Sequence, residues 1–452
     1  MLKKILIANR GEIAVRIIRA CREMGIRTVA IYSEADKEAL HTKLADESIC
    51  IGPAPSNKSY LNMKAILEAI CLTGSDSVHP GFGFLSENVT FAKMCEEIGI
   101  KFIGPNYKLI ELLGNKSKAK ETMKNVGVPV VPGSEGLINS KKEAIELAEK
   151  IKYPVILKAS AGGGGRGIRV AYSKTELEKE YDIVKQEAKV SFNDDSIYIE
   201  KFIENPRHVE IQVLADEKGN CIHLGERDCS IQRRNQKVLE ETPSQILNGE
   251  TRKKMGEIAV KAVKEIGYSN AGTIEFLVDK NKDFYFMEMN TRVQVEHPVT
   301  EMVTGVDIIK EQIKIASGEK LSYKQEDIKI KGHSMEVRIN AENPEKNFMP
   351  APGMITGLHL PGGNGIRVDT AIYDGYNVPP TYDSMLAKLI VYGKNREESI
   401  LKMRSALSET VIEGITTNID FLLKILNNKD FQDNNYDTSF IAKKFLGRNS
   451  HW

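Results

Sequence analysis

The segment Phe286-Met287-Glu288-Met289-Asn290-Thr291-Arg292-Val293-Gln294-Val295-Glu296-His297-Pro298 constrains the fold more than any other stretch of this chain. It follows Asp283-Phe284-Tyr285, so it begins as a strand, and strand side chains alternate between faces. Glu288 and Asn290 then share one face, and continued extension adds Arg292, Gln294 and Glu296. Met289, Thr291, Val293 and Val295 fall opposite. A solvated edge strand is the ordinary reading of such alternation. Acid, amide, guanidinium, amide and acid in one row is nevertheless poor strand composition. Two hard oxygen donors suit Mg²⁺, and an arginine fork beside an amide suits a small oxyanion such as carboxylate or bicarbonate. The row therefore reads as the wall of a ligand site.

A second carboxylate supports that reading. Gly272-Thr273-Ile274-Glu275-Phe276-Leu277 places Glu275 in an otherwise apolar strand, where a carboxylate is costly unless paired or metal-bound. The Asp279–Asp283 turn predicts that Glu275 and Glu288 lie on antiparallel neighbours, facing the same way. Two facing carboxylates repel, and a divalent cation relieves the repulsion.

Upstream, Lys158-Ala159-Ser160-Ala161-Gly162-Gly163-Gly164-Gly165-Arg166-Gly167-Ile168 joins two strands, Val155–Ala159 and Ile168–Ala171. It matches neither GxxxxGK[ST] nor a GxGxxG turn opening a helix, both of which use a helix N-terminus to hold phosphate. It fits a hairpin whose glycine N–H groups close over a polyphosphate, with Lys158 adding charge, and equally a flexible surface hairpin. Glu200-Lys201-Phe202-Ile203 offers polar groups and apolar faces for a purine, or simply a strand terminus. His208-Val209-Glu210-Ile211-Gln212-Val213 alternates with its polar groups on one face. Asp228 to Lys237 forms a basic loop, either solvated or able to neutralise a nucleotide and a second anion.

The first hundred residues alternate strand and helix: Lys4–Ala8, Glu12–Met24 stopped by Gly25, Thr28–Tyr32, Leu61–Ala69, Ser77–His79 and Phe91–Glu97. That order predicts a doubly wound parallel sheet, with ligands at the carboxyl ends of its strands. Gly-Pro and Gly-Asn mark a boundary near residues 104–116. The lengths, 452 residues in all, exceed one core, and 41% hydrophobic with 28% charged residues is globular composition. A net charge of +1 gives no basic field for nucleic acid or an anionic membrane, and no apolar run approaches a bilayer span. The start is too short for a signal peptide. Six cysteines without a CxxC pair or a disulfide framework predict a reducing cytoplasm. After Gly318 the pattern turns to β, with His333–Asn340 alternating, and helices return at Arg396–Glu409 and Asn418–Leu426.

With these features the chain resembles the ATP-grasp enzymes, and within them the biotin carboxylase family, over residues 1 to about 445. The resemblance is carried by Ile7-Ala8-Asn9-Arg10-Gly11-Glu12-Ile13-Ala14, His79-Pro80-Gly81-Phe82-Gly83-Phe84-Leu85-Ser86-Glu87-Asn88, Glu226-Arg227-Asp228-Cys229-Ser230 and Glu288 through Pro298. It implies an α/β and α+β multidomain fold. The parts are an N-terminal α/β domain (1–115), an ATP-grasp domain (116–330) with a mobile glycine-rich lid (130–203), and a C-terminal α+β domain (331–446). It implies ATP around Lys116, Lys158, Gly163, Gly164, Gly165, Glu200, Lys201, Ile203, His208, Gln232, Asn235 and Leu277. Two Mg²⁺ or Mn²⁺ ions would sit on Glu275 and Glu288, with Asn290 nearby. Bicarbonate would meet Lys237, Arg292, Gln294 and the Val295 backbone. Glu296 would be the general base, with Arg292, Lys237 and Arg338 also catalytic, and Arg338 facing biotin. Asn235 and Phe82 depart from the family's usual His and Tyr.

The implied reaction is ATP- and bicarbonate-dependent carboxylation of biotin through carboxyphosphate. It is the first half-reaction of acetyl-CoA carboxylase in fatty acid synthesis; the alternative is a detached subunit of a pyruvate or propionyl-CoA carboxylase. No Ala-Met-Lys-Met acceptor is present, and Met123-Lys124 reads as helix surface, so biotin is expected on a separate biotin carboxyl carrier protein. Carboxyltransferase subunits and a homodimer are the further implied partners, with no nucleic acid and no membrane. On residues alone, Arg338 could instead form a surface salt bridge with Glu336, which shares its strand face.

Overall fold

The computed structural model describes residues 2–159, 168–192 and 194–447, so Gly163, Gly164 and Gly165 lie outside the described residues. The amino-terminal strands form a five-stranded parallel sheet in the spatial order Glu47–Cys50, Arg27–Tyr32, Lys4–Ile7, Ser77–His79, Lys101–Phe102. Ile5 and Ile7 pack with Ile13, Ile17 and Ile18 of the Gly11–Glu23 helix, whereas Leu6 packs the other way with Val29, Ile66 and Phe91. Period-two alternation with both faces apolar is what burial of a parallel sheet requires. The doubly wound expectation is met.

Between residues 138 and 201 a smaller unit carries its own core. Its antiparallel sheet has the order Ile168–Ala171, Val155–Ala159, Ile197–Lys201. Helices Lys141–Ile151 and Lys174–Phe192 cover it, burying Leu157, Val184 and Ile199 completely. Each such side chain contributes roughly 1.5–3 kcal/mol relative to exposure. The unit bridges back through helix Lys116–Asn125, whose Met123 is fully buried in the central core. The reading of Met123 as surface was therefore wrong: the apolar side chain faces inward, and only Lys124 faces out, to Glu135 at 2.7 Å.

The largest sheet has eight strands in the order Phe284–Asn290, Asn270–Val278, Arg207–Ala215, Cys221–Arg233, Gln236–Thr242, His333–Asn340, Met385–Gly393, Ile366–Thr370, all neighbours antiparallel. It runs without interruption from the central segment into the C-terminal one, joined where Glu240 pairs with Glu336. Helices Arg396–Glu409 and Ile419–Asn427 cover its C-terminal half around Leu389, Met403 and Leu422.

A second expectation fails. The row from Glu288 does not stay extended to Pro298: the strand ends at Asn290, residues 291–296 turn, and a helix occupies His297–Thr304. Pro298 stands in the first helical turn, where its missing N–H has no partner to lose and its fixed φ suits the helix. Val293 is still wholly buried, now against the N-terminal core.

Candidate active site

Strand register builds the floor of the site. Across four adjacent strands Glu288 pairs with Glu275, Glu275 with Glu210, and Glu210 with Arg227. The expected antiparallel pairing of Glu275 and Glu288 is present. Three acids in one cross-strand row must be balanced, and the cations come from the next strands. Lys237 Nζ donates to Glu210 (2.7 Å), Glu275 (3.0 Å) and Glu296 (2.6 Å). The wholly buried Arg227 guanidinium pairs with Glu210 and donates to Gln212 at 2.8 Å, Thr300 at 3.0 Å and Gln294 at 2.7 Å.

The turn after Asn290 folds the remaining polar groups over this floor. Gln294 Nε2 (2.6 Å) and Asn290 Nδ2 (2.8 Å) both donate to Glu275 Oε1, and His208 Nε2 lies 2.7 Å from Glu275 Oε2. Gln232 reaches His208 Nδ1 at 2.6 Å. Arg292 donates to Glu87 at 2.9 Å and to Asn290 Oδ1 at 2.8 Å. Glu296 sits at the start of the next helix, where Arg338 meets it at 3.0 Å while also donating to Glu240 at 2.8 Å. The broken strand thus gathers Arg292, Gln294 and Glu296 that a straight one would have spread over several residue lengths.

A second group lies toward the smaller unit. Lys158 Nζ is 2.7 Å from Glu200 Oε2, Lys120 holds the other oxygen, and Lys116 of the same helix is 3.3 Å from Glu288. Lys201 donates to the Lys152 and Tyr153 carbonyls at 2.9 and 2.8 Å, Ile203 is buried and Leu277 half-buried. Asn235 is exposed at the tip of the hairpin between Arg233 and Gln236.

Three matches in chain order decide the family. Residues 1–110 match the family described as Biotin carboxylase, N-terminal domain; 115–324 match Carbamoyl-phosphate synthase L chain, ATP binding domain; 336–443 match Biotin carboxylase C-terminal domain. Biotin carboxylase 1 of Bacillus subtilis is 61% identical over 98% of this chain and 98% of its own. The chain belongs to the biotin carboxylase family. It is a ligase of the ATP-grasp class that carboxylates biotin. Among solved structures, the biotin carboxylase domain dimer of Hydrogenobacter thermophilus 2-oxoglutarate carboxylase, in complex with MgADP, ADP and bicarbonate, is 53% identical. It matches with TM-score 0.88 over 98% of each chain. The biotin carboxylase subunit of a pyruvate carboxylase is 55% identical, with TM-score 0.90 over 98% of each chain.

The electrostatics of this cluster follow from burial set against ion pairing. Burial alone would raise Glu275 and Glu296, but Lys237 and His208 hold the first well below the usual carboxylate range. Lys237, Arg338 and Arg227 do the same for Glu296. Burial disfavours charge on Lys237 too, yet Glu210 and Glu296 keep it above the ordinary lysine value. Glu240 behaves differently: burial outweighs Arg338 and pushes it up to about 7. The donor chemistry fits a divalent cation, because His208, Glu210 and Glu275 bring ligand atoms within 4.8 Å of one another beside Glu288.

The salt bridge between Arg338 and Glu336 is corrected: Arg338 is committed to Glu240 and Glu296, while Glu336 is wholly buried with neither oxygen hydrogen-bonded. Phe82 packs against the N-terminal core and its carbonyl accepts from Asn9 at 2.7 Å. Glu210 and Arg227 were the residues missed. Alternation over His208–Val213 had put Glu210 beside His208 and Gln212, but only the fold reveals that Arg227 faces all three acids' side of the sheet.

Proposed function

We propose that this chain catalyses ATP- and bicarbonate-dependent carboxylation of biotin carried by a separate biotin carboxyl carrier protein. The observation that carries the reading is the meeting of Glu296, Lys237, Arg338 and Gln294 over the Glu275 carboxylate. ATP lies along Lys116, Lys158, Glu200, Lys201, Ile203, His208, Gln232, Asn235 and Leu277; Gly163, Gly164 and Gly165, outside the described residues, complete the set. Glu275 and Glu288, with Asn290, would hold Mg²⁺ or Mn²⁺, which would neutralise phosphate charge. The neighbour solved with MgADP and bicarbonate supports a magnesium nucleotide and bicarbonate as the ligands.

Arg292, Gln294 and the Val295 backbone bind bicarbonate beside Lys237. Glu296 takes its proton; Lys237, Arg338 and Arg227 keep it ionised beforehand. The dianion attacks the γ-phosphate, releasing ADP and forming carboxyphosphate, with Lys237 stabilising the growing charge. Carboxyphosphate breaks down to CO₂ and phosphate. Phosphate removes the ureido N1 proton, N1 attacks CO₂, and Arg338, charged at any working pH, stabilises the biotin enolate.

Within this reading the reaction is the first half of acetyl-CoA carboxylase, in the cytoplasm, with carboxyltransferase subunits as partners and a homodimer as assembly. The six unpaired cysteines support a reducing compartment, and the neighbour solved as a dimer supports the assembly. Among the described residues no helix is long and apolar enough to cross a membrane. The pyruvate carboxylase subunit at 55% identity supports a second reading, service in a keto-acid carboxylase. Co-purification separates the two by which carrier and carboxyltransferase come down. ATP turnover should require bicarbonate and rise with free biotin; turnover indifferent to both would refute the proposal. Glu296→Ala should abolish carboxylation while ATP still binds.

A further inference from the structure

Lys388 lies on the Met385–Gly393 strand and is completely buried. A buried ammonium is costly unless its donors are satisfied. Its hydrogen bond goes to a main-chain oxygen, the Val295 carbonyl, at 2.8 Å. Two carboxylates stand around it: Glu12 of the first helix at 3.1 Å and Asp369 at 3.9 Å. Register explains the placement. Lys388 is directly cross-strand from Arg338 on one side and from Asp369 on the other. Arg338 and Lys388 therefore reach the same turn side by side, Arg338 to the Glu296 carboxylate and Lys388 to the preceding carbonyl.

That turn has no ladder to hold it, because regular strand pairing stops at Asn290. Its shape depends on side chains: Glu87 on the Thr291 N–H at 3.0 Å, Arg227 on Gln294 Oε1, the adjoining His297 ring on the Gln294 carbonyl at 2.8 Å, and Lys388 on the Val295 carbonyl. Lys388 alone of these comes from the C-terminal segment, and it also stands beside Glu12 of the N-terminal domain. We infer that Lys388 is a positioning residue for bicarbonate, fixing the Gln294–Glu296 backbone by its bond to Val295. The inference rests on the placement of bicarbonate at Arg292–Val295 proposed above. A cation on the carbonyl holds the orientation of the adjoining peptide groups and keeps the Val295 N–H and the Glu296 carboxylate in fixed relation.

The test is steady-state kinetics on the full chain. Lys388→Met alone would leave Glu12 buried without its partner, so the main variant is Glu12→Gln with Lys388→Met, which removes both charges together. Loss of a charged hydrogen bond should raise the bicarbonate KM about tenfold or more, with the ATP KM within about twofold of wild type. Glu12→Gln with Lys388→Gln, which keeps a donor but no charge, should fall nearer wild type. A role confined to pairing Glu12 predicts equal effects from Gln and Met. Equal increases in both KM values, no increase in any variant that folds, or failure of all these variants to fold would each overturn the inference. Arg292→Ala in the same assay separates the two readings. If it leaves the bicarbonate KM unchanged, the bicarbonate placement fails. If it raises that KM and the Lys388 variants do not, only the role of Lys388 fails.

Discussion

Glu240 and Glu296 both contact Arg338, yet their proton affinities are driven apart. Glu296 shares Lys237 and Arg227 as well and stays ionised; Glu240 has one oxygen without a partner and sits at about 7. The sign of the pH effect follows. The folded value for Glu240 lies above its ordinary 4.5, so its contribution to stability is complete below about 4.5 and is lost as pH rises through about 7. Glu275 and Glu296 act in reverse: their contribution is present above the ordinary carboxylate range and lost only in strong acid. Thermal unfolding from pH 4.5 to 8 should show wild type losing stability relative to Glu240→Gln, by no more than ~3 kcal/mol. Parallel curves would contradict the assignment. Neither affinity is legible in the chain order, since both depend on which cations the fold delivers.

At the scale of elements, the hairpin joining Cys221–Arg233 to Gln236–Thr242 illustrates a residue with two possible reasons to be there. Arg234 and Asn235 have φ of 50° and 63°, the two-residue turn whose twist suits a β-hairpin. Asn tolerates that backbone, so its departure from the family's usual His has a local explanation independent of nucleotide. Asn235→Gly should leave the melting temperature nearly unchanged, whereas Asn235→Val should cost about 1–2 kcal/mol. Equal losses would remove the turn as the reason. Most elements were legible: Ser77–His79, Val155–Ala159, Ile168–Ala171, His333–Asn340 and Arg396–Glu409 fall where the apolar pattern predicts. The Phe284–Asn290 strand was read too long. Its polar row kept period two past the point where Pro298 and tertiary cations favoured a turn and helix.

Across the whole molecule the eight-stranded sheet sets what can fold alone. Its middle pairing, Gln236–Thr242 with His333–Asn340, is made by segments nearly a hundred residues apart. A chain cut after residue 330 would expose the Gln236–Thr242 edge and its unpaired N–H and C=O groups. Such a fragment should aggregate, and calorimetry of the full chain should give one transition for the central and C-terminal strands together. A soluble monomeric fragment would refute this. The unit from 138 to 201 keeps a separate core of its own, around Leu157, Val184 and Ile199.

The sequence by itself determined the parallel N-terminal sheet, the antiparallel meeting of Glu275 and Glu288, and the family. Each depends on local periodicity or contiguous residues, and short-range chemistry suffices to read them. Only the tertiary structure decided that Lys237 would join three carboxylates, that Arg227 would complete the acidic row, and that Lys388 would cross from another strand to the Val295 carbonyl. Those side chains must satisfy buried charge, and the nearest opposite charge in a sheet lies across strands rather than along the chain.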